Sequence, residues 1–186
     1  MTNVKRKAIM VSLIRKMKEK GSWTGETHIQ KCTYFLEEFL SVPLKFNFIL
    51  YKHGPFSFDL RDELTALRAD NFIEMEPRRP FGASFKPGKV AEVLERKYSR
   101  DIEEHKERIN FIVEKLANKS VKELERVATA LYVKKNEDVS EDDMVGQIRE
   151  LKPHISNELA KQAIEDLNNY IKEAKVNQLY YRSAIN

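Results

Sequence analysis

A chain of 186 residues with 41% hydrophobic and 33% charged residues, and only 6 Gly and 6 Pro, is long enough to bury a core and too apolar to stay disordered. Its 33 basic and 29 acidic residues leave a formal charge of +4 and a pI near 9.0, which permits a polyanionic partner without requiring one. A single Cys32 excludes an intrachain disulfide and a multi-thiolate metal site, and no apolar run approaches the roughly 20 residues that span a bilayer, so the expected setting is the cytoplasm with no membrane contact.

From Val4 to Lys20, Ala8, Val11, Ile14 and Met17 fall at helical spacing and predict a one-faced helix stopped at Gly21. Lys5, Arg6, Lys7, Arg15, Lys16, Lys18 and Lys20, opposed only by Glu19, make it the stretch best suited to a polyanion. After a turn at Ser22 to Gly25, Ile29, Cys32, Phe35, Leu36, Phe39 and Leu40 form a broader stripe, as a central core helix would, ended by Ser41 and Pro43. The period then changes to alternation: Leu44, Phe46, Phe48 and Leu50 read as a strand, closed by His53-Gly54-Pro55.

Ser57 caps a third helix from about Phe58 to Ala69, with Leu60, Leu64 and Leu67 facing inward. Phe72 to Glu76 alternates as a strand, residues 77–82 turn, and Ala83 to Lys86 returns. This order is that of a winged helix-turn-helix over residues 1–88, and it requires residues 46–50 and 72–75 to share a sheet.

Residues 89–175 read as a helical domain packed on the first. Its long stripe of Val90, Leu94, Tyr98, Ile102, Ile109, Ile112 and Leu116 has a break near Ser99. Ser120 and Glu123 form a capping box, Ser140 opens another helix that stops before Pro153, and Ser156 or Asn157 caps the last, with Leu159, Ala163, Leu167, Tyr170 and Ile171 inward. The tail, residues 176–186, carries Leu179, Tyr180 and Tyr181 and is either docked or a contact segment. The expected class is mainly α with a small antiparallel sheet, an N-terminal winged helix-turn-helix followed by a C-terminal helical bundle.

Four short motifs carry a family resemblance: Ile29-Gln30-Lys31 followed by Tyr34-Phe35, Tyr51 to Ser57 followed by Leu60, Leu124 to Tyr132, and Leu151 to Ser156. In their order and spacing the chain resembles the YwgA-like family of bacterial proteins. It resembles more loosely the Panacea or SocA-type antitoxin domain, where a Leu-Gln-Lys helix precedes a Tyr-Gly-Pro turn. Ile29 stands where Leu is usual, and His53 stands where an aromatic residue is usual, which puts a role for that aromatic in doubt. The resemblance implies a winged-helix-like fold and, for the looser group, neutralisation of a toxin partner. It carries over no catalytic residue.

Gln30 and Lys31 with Lys52 and His53 either form a contact surface or, with Gly54 and Pro55, shape the start of the third helix. On that helix Asp59, Asp62, Glu63 and Asp70 outnumber Arg61 and Arg68, which opposes major-groove docking. Arg78 and Arg79 in the wing, with Lys86 and the basic Lys5-Arg6-Lys7 run, offer another grip on a phosphate backbone, or are a solvated loop tip and helix end.

His28 and Cys32 share a helix face, but a thiol in mid-stripe reads as buried and inert. There is no zinc-ligand spacing, phosphate-binding Gly-rich loop or nucleophile elbow. The expectation is a non-catalytic, cofactor-free regulatory module. Its partner is a protein, as for an antitoxin, or DNA, as for a transcriptional regulator. An enzyme using His28, Cys32 or His53 is the third reading, and homodimerisation along the Val90–Leu116 stripe stays open.

Overall fold

Residues 8–14 of the first helix, α1 (Asn3–Glu19), are buried on every side, Ile9, Met10 and Leu13 as fully as Ala8, Val11 and Ile14. The expected one-faced helix is therefore a helix through the core, because other elements cover it from several directions. Gly21 stops it at φ +80°. In the computed structural model, backbone is described for residues 1–78, 81–136 and 140–180, and side chains for these except Arg78, Phe81, Asn136 and Asp142.

Helix α2 (Glu26–Glu38) is buried without interruption from His28 to Leu36. Beyond it come the hairpin β1 (Ile49–Tyr51) and β2 (Gly54–Phe56), helix α3 (Phe58–Ala69), and the hairpin β3 (Ile73–Arg78) and β4 (Phe81–Pro87). Ser57 caps α3 as expected, its hydroxyl accepting from the Leu60 N–H at 3.2 Å.

The sheet expected to join residues 46–50 to 72–75 does not form. β1 pairs only with β2, and β3 only with β4. The predicted alternation at residues 44–47 does appear in burial, with Leu44 and Phe46 inside and Lys45 and Asn47 outside. However, the Glu37 carboxylate takes the N–H groups of Lys45 and Phe46, and the Asp59 carboxylate takes that of Asn47. Side chains thus satisfy the donors a ladder would have used, and pairing begins only at Ile49.

The second hairpin instead gains an extended neighbour from the α1–α2 linker. Gly25 bridges Ser84, the Phe85 N–H donates to the Thr24 carbonyl at 2.9 Å, and the Thr24 hydroxyl donates to the Phe85 carbonyl at 2.6 Å. Thr24 sits at φ +47°, a region that a β-branched residue avoids, and these two bonds hold it there. Between Glu76 and Arg78 the β3–β4 register shifts around Pro77, which has no N–H to give.

The second half comprises α4 (Ala91–Lys97), α5 (Ser99–Leu116), α6 (Val121–Asn136), α7 (Glu141–Leu151) and α8 (Asn157–Val176). The expected break falls at Tyr98, and the expected capping box is made: the Ser120 hydroxyl and N–H both donate to Glu123 Oε2, at 2.6 and 2.8 Å. Ser156, not Asn157, caps α8. Its inner face is Ala160, Ala163, Ile164, Leu167, Tyr170 and Ala174, whereas Leu159, expected inside, is exposed one step out of phase.

Helix α5 packs on α1 and α2, and α6 packs on α2, β2, α7 and α8, so the two halves share a core. Ile109, Ile112 and Leu116 are spent inside the chain rather than offered as a coiled-coil seam. His28 and Ser22 stitch the same boundary, to the carbonyls of Lys119 at 3.0 Å and Ala117 at 2.5 Å. The tail is docked as far as Tyr180, whose ring lies 5.2 Å from that of Phe39. Tyr181 and the residues after it lie outside the described residues. No described helix is long and apolar enough to cross a membrane.

Candidate functional site

The β1–β2 hairpin is held from behind by a buried set of charged and polar side chains from α2, α6 and the end of α7. Gln30 makes a two-way amide contact with Ser57, donating from Nε2 to its carbonyl (2.8 Å) and accepting its N–H at Oε1 (2.9 Å). One residue along α2, the Lys31 ammonium, 1% exposed, donates to the Pro55 carbonyl at 2.7 Å.

Pro153 disfavours helix for the residue before it, so α7 ends at Leu151 and Lys152 leaves the helical region at φ −139° and ψ 75°. Its Nζ donates to the carbonyls of Tyr51 and Lys52 at 2.5 and 2.7 Å. Facing Lys152 lies the Glu125 carboxylate of α6, its side chain 7% exposed. Lys152 Nζ is 3.4 Å and His154 Nε2 3.3 Å from its Oε1, and His53 Nδ1 is 4.0 Å from its Oε2. Glu125 Oε1 is buried and receives no hydrogen bond of good geometry.

Gly54 permits this closeness. Its φ is +83°, and a Cβ there would lie 3.4 Å from the Glu125 carbonyl and from the Thr129 hydroxyl. Burial pulls the Lys31 ammonium down to about 8 against the opposing pull of Glu125, with a smaller contribution from the like charge of Lys152. At neutral pH it therefore still carries its proton.

The outward side of the hairpin is apolar. Ile49 (48%), Tyr51 (53%) and Phe58 (40%) are exposed and Phe56 is half-buried. The rings of Tyr51, Phe56 and Phe58 lie 5.2 to 5.7 Å from one another, and the Arg61 guanidinium sits 4.9 Å over Phe58. Neighbouring rings from β1, β2 and the start of α3 thus gather beside an exposed isoleucine, and contiguous apolar surface of this kind marks a contact site. In comparisons with known proteins, no family model and no curated protein matches this chain.

The sequence-derived candidates divide three ways. Gln30 and Lys31, expected as one half of a contact surface, are inside and act as supports, because α2 is enclosed on all sides. Lys52 and His53 are exposed at the turn. The basic run of α1 is neutralised within the chain: Lys5 by Asp101 (2.6 Å), Arg6 by Glu63 (2.9 Å) and Lys7 by Asp70 (2.7 Å), with Arg15 on Glu95 and Lys18 on Glu76.

Lys86 lies between Glu76 (3.1 Å) and Glu74 (3.6 Å), and Arg61 is 3.8 Å from Asp62. Arg68 is exposed in the last turn of α3. Arg78 pairs through its backbone with Phe81, its side chain not being described, and Arg79 lies outside the described residues.

Sequence reasoning did not single out Tyr51, Phe56, Phe58, Glu125, Lys152 or His154 as site residues. Five of these six nevertheless fall within the quoted motifs, and the structure brings those stretches of chain together around Glu125. Cys32 is fully buried with its thiol pushed up to about 12, and His28 is engaged with Lys119, so the two do not make a poised thiolate pair. Among the described residues no group of His, Cys, Asp and Glu is arranged to hold a metal ion.

Proposed function

We propose that this chain is a non-catalytic regulatory module that binds a partner protein, in the manner of an antitoxin, through the outward face of the β1–β2 hairpin and the start of α3. The observation that carries the reading is the exposed Tyr51–Phe56–Phe58 cluster on a hairpin braced by buried charges. Rigid aromatic and arginine anchors dominate protein interfaces because they bring large contact area at small cost in conformational entropy. The loose resemblance to antitoxin-type domains supports the same class of partner. Internal neutralisation of the α1 cations speaks against a polyanion held along that helix.

The test is cross-linking in the native host followed by mass spectrometry, with the full chain and its Tyr51→Ala/Phe58→Ala variant side by side. A protein recovered with the former and lost with the latter is expected. An identical set of partners with both overturns the reading.

A DNA-binding winged helix is the second reading; residues 46–50 do not supply its further strand, but one observation favours it, the Thr24–Gly25 segment lying along β4 beside the hairpin that follows α3. Fluorescence anisotropy with duplex DNA at rising salt decides it, since backbone contacts release counterions and must weaken steeply. Absence of salt-sensitive binding dismisses it.

A further inference from the structure

The turn of the hairpin is electrostatically lopsided. Behind and upon it, among the described residues, stand three ammonium groups, Lys31, Lys52 and Lys152, and two imidazoles, His53 and His154, around the carboxylate of Glu125. Lys31 and Lys152 are buried, so solvent screens them poorly and their excess over Glu125 is felt at the nearest surface, which is this turn.

At the other border of the aromatic patch the charges are acidic or paired with each other. Asp59 accepts from Asn47 Nδ2 at 3.0 Å and Asp62 stands 3.8 Å from Arg61. Among the described residues no hydrogen bond or ion pair engages the exposed Lys52 ammonium. The positive excess is thus confined to the turn end of the patch, while the end at the start of α3 carries the Asp59 carboxylate.

We infer that the partner presents an acidic segment, with a carboxylate against the Lys52–His53 turn and an adjoining apolar side chain over the Tyr51, Phe56 and Phe58 rings. This rests on the protein-binding reading above and specifies its chemistry. A nucleic-acid strand fits less well: it would bring a row of phosphates, and at the far border of the patch such a row would meet the carboxylate of Asp59.

The test selects peptides from a random phage-displayed library on the immobilised full chain and retains those that fail to bind the Tyr51→Ala/Phe58→Ala variant. The retained peptides are expected to be net negative, with Asp or Glu beside an aromatic or aliphatic residue. Their affinity is expected to fall about tenfold on Lys52→Glu, mostly through slower association. Lys52 is exposed and contributes only its backbone carbonyl to the structure, so this variant leaves the anchor intact.

Retained peptides that are neutral or basic, or indifferent to Lys52→Glu, overturn the charge inference and leave the patch reading standing. Failure to retain any peptide removes the patch reading itself. Labelled oligo(dT) or oligo(U) that binds the full chain and not the double variant overturns the inference in favour of a nucleic acid.

Discussion

Lys152 donates its ammonium to the carbonyl of Tyr51 at 2.5 Å across 101 residues of sequence, and so ties the end of α7 to the strand that bears the exposed rings. The same ammonium faces Glu125 at 3.4 Å. Removing it leaves a buried carboxylate with Lys31 as its remaining buried cation and frees two carbonyls. Lys152→Met is expected to cost about 2–4 kcal/mol, read from urea denaturation. Adding Glu125→Gln is expected to recover part of that loss, because the uncompensated charge goes with it; costs that simply add refute the coupling.

Gly54 and Gly21 both have positive φ, +83° and +80°, but only Gly54 has neighbours within 4 Å of where a Cβ would lie. Each Gly→Ala change meets the left-handed penalty of about 1–2 kcal/mol. Gly54→Ala also presses on Glu125, Thr129 and Lys31, so its melting temperature is expected to drop further than that of Gly21→Ala. Equal drops argue that the anchor yields without cost.

Lys31 holds its proton less tightly folded, at about 8, than unfolded, at 10.5. Between these values the unfolded chain binds more protons, so this group makes stability rise with pH across the window, by about 3 kcal/mol at most. Below pH 8 both states are protonated and the contribution is flat. Subtracting the stability profile of Lys31→Met from that of the full chain isolates the effect, and a difference that does not change between pH 8 and 10 refutes it.

Burial lowers the proton affinity of His28, and its bond to the Lys119 carbonyl only partly offsets this. As pH falls below the ordinary 6.5 the unfolded chain takes up a proton that the folded chain resists, so stability is lost toward acid. Replacement by Gln, which keeps a donor for Lys119, is expected to flatten the acid limb of the stability profile. An unchanged limb points to other groups, of which His105, also lowered by burial, is the first to examine.

What the sequence made legible was local. The caps at Ser57, Ser120, Ser140 and Ser156 and the break before Ser99 depend on residues within four positions, and they stand where spacing put them. The strand pairing did not follow, because the donors of residues 45–47 are taken by Glu37 and Asp59, each chosen by the fold rather than by neighbours in the chain. The basic face of α1 misled for the same reason: Arg6 meets Glu63 and Lys20 meets Glu114, 57 and 94 residues away. The aromatic patch was hidden for another reason: the two-residue period does place Ile49 and Tyr51 outward, but only the turn at residues 52–53 brings Phe56 and Phe58 against Tyr51.

The brace beneath the hairpin also sets a timing. Its supports come from α2, α6 and the residue after α7, so during synthesis the segment around Tyr51 leaves the ribosome long before Lys152 exists to hold it. A nascent or prematurely terminated chain that ends before that lysine carries the aromatic residues without this support for their arrangement.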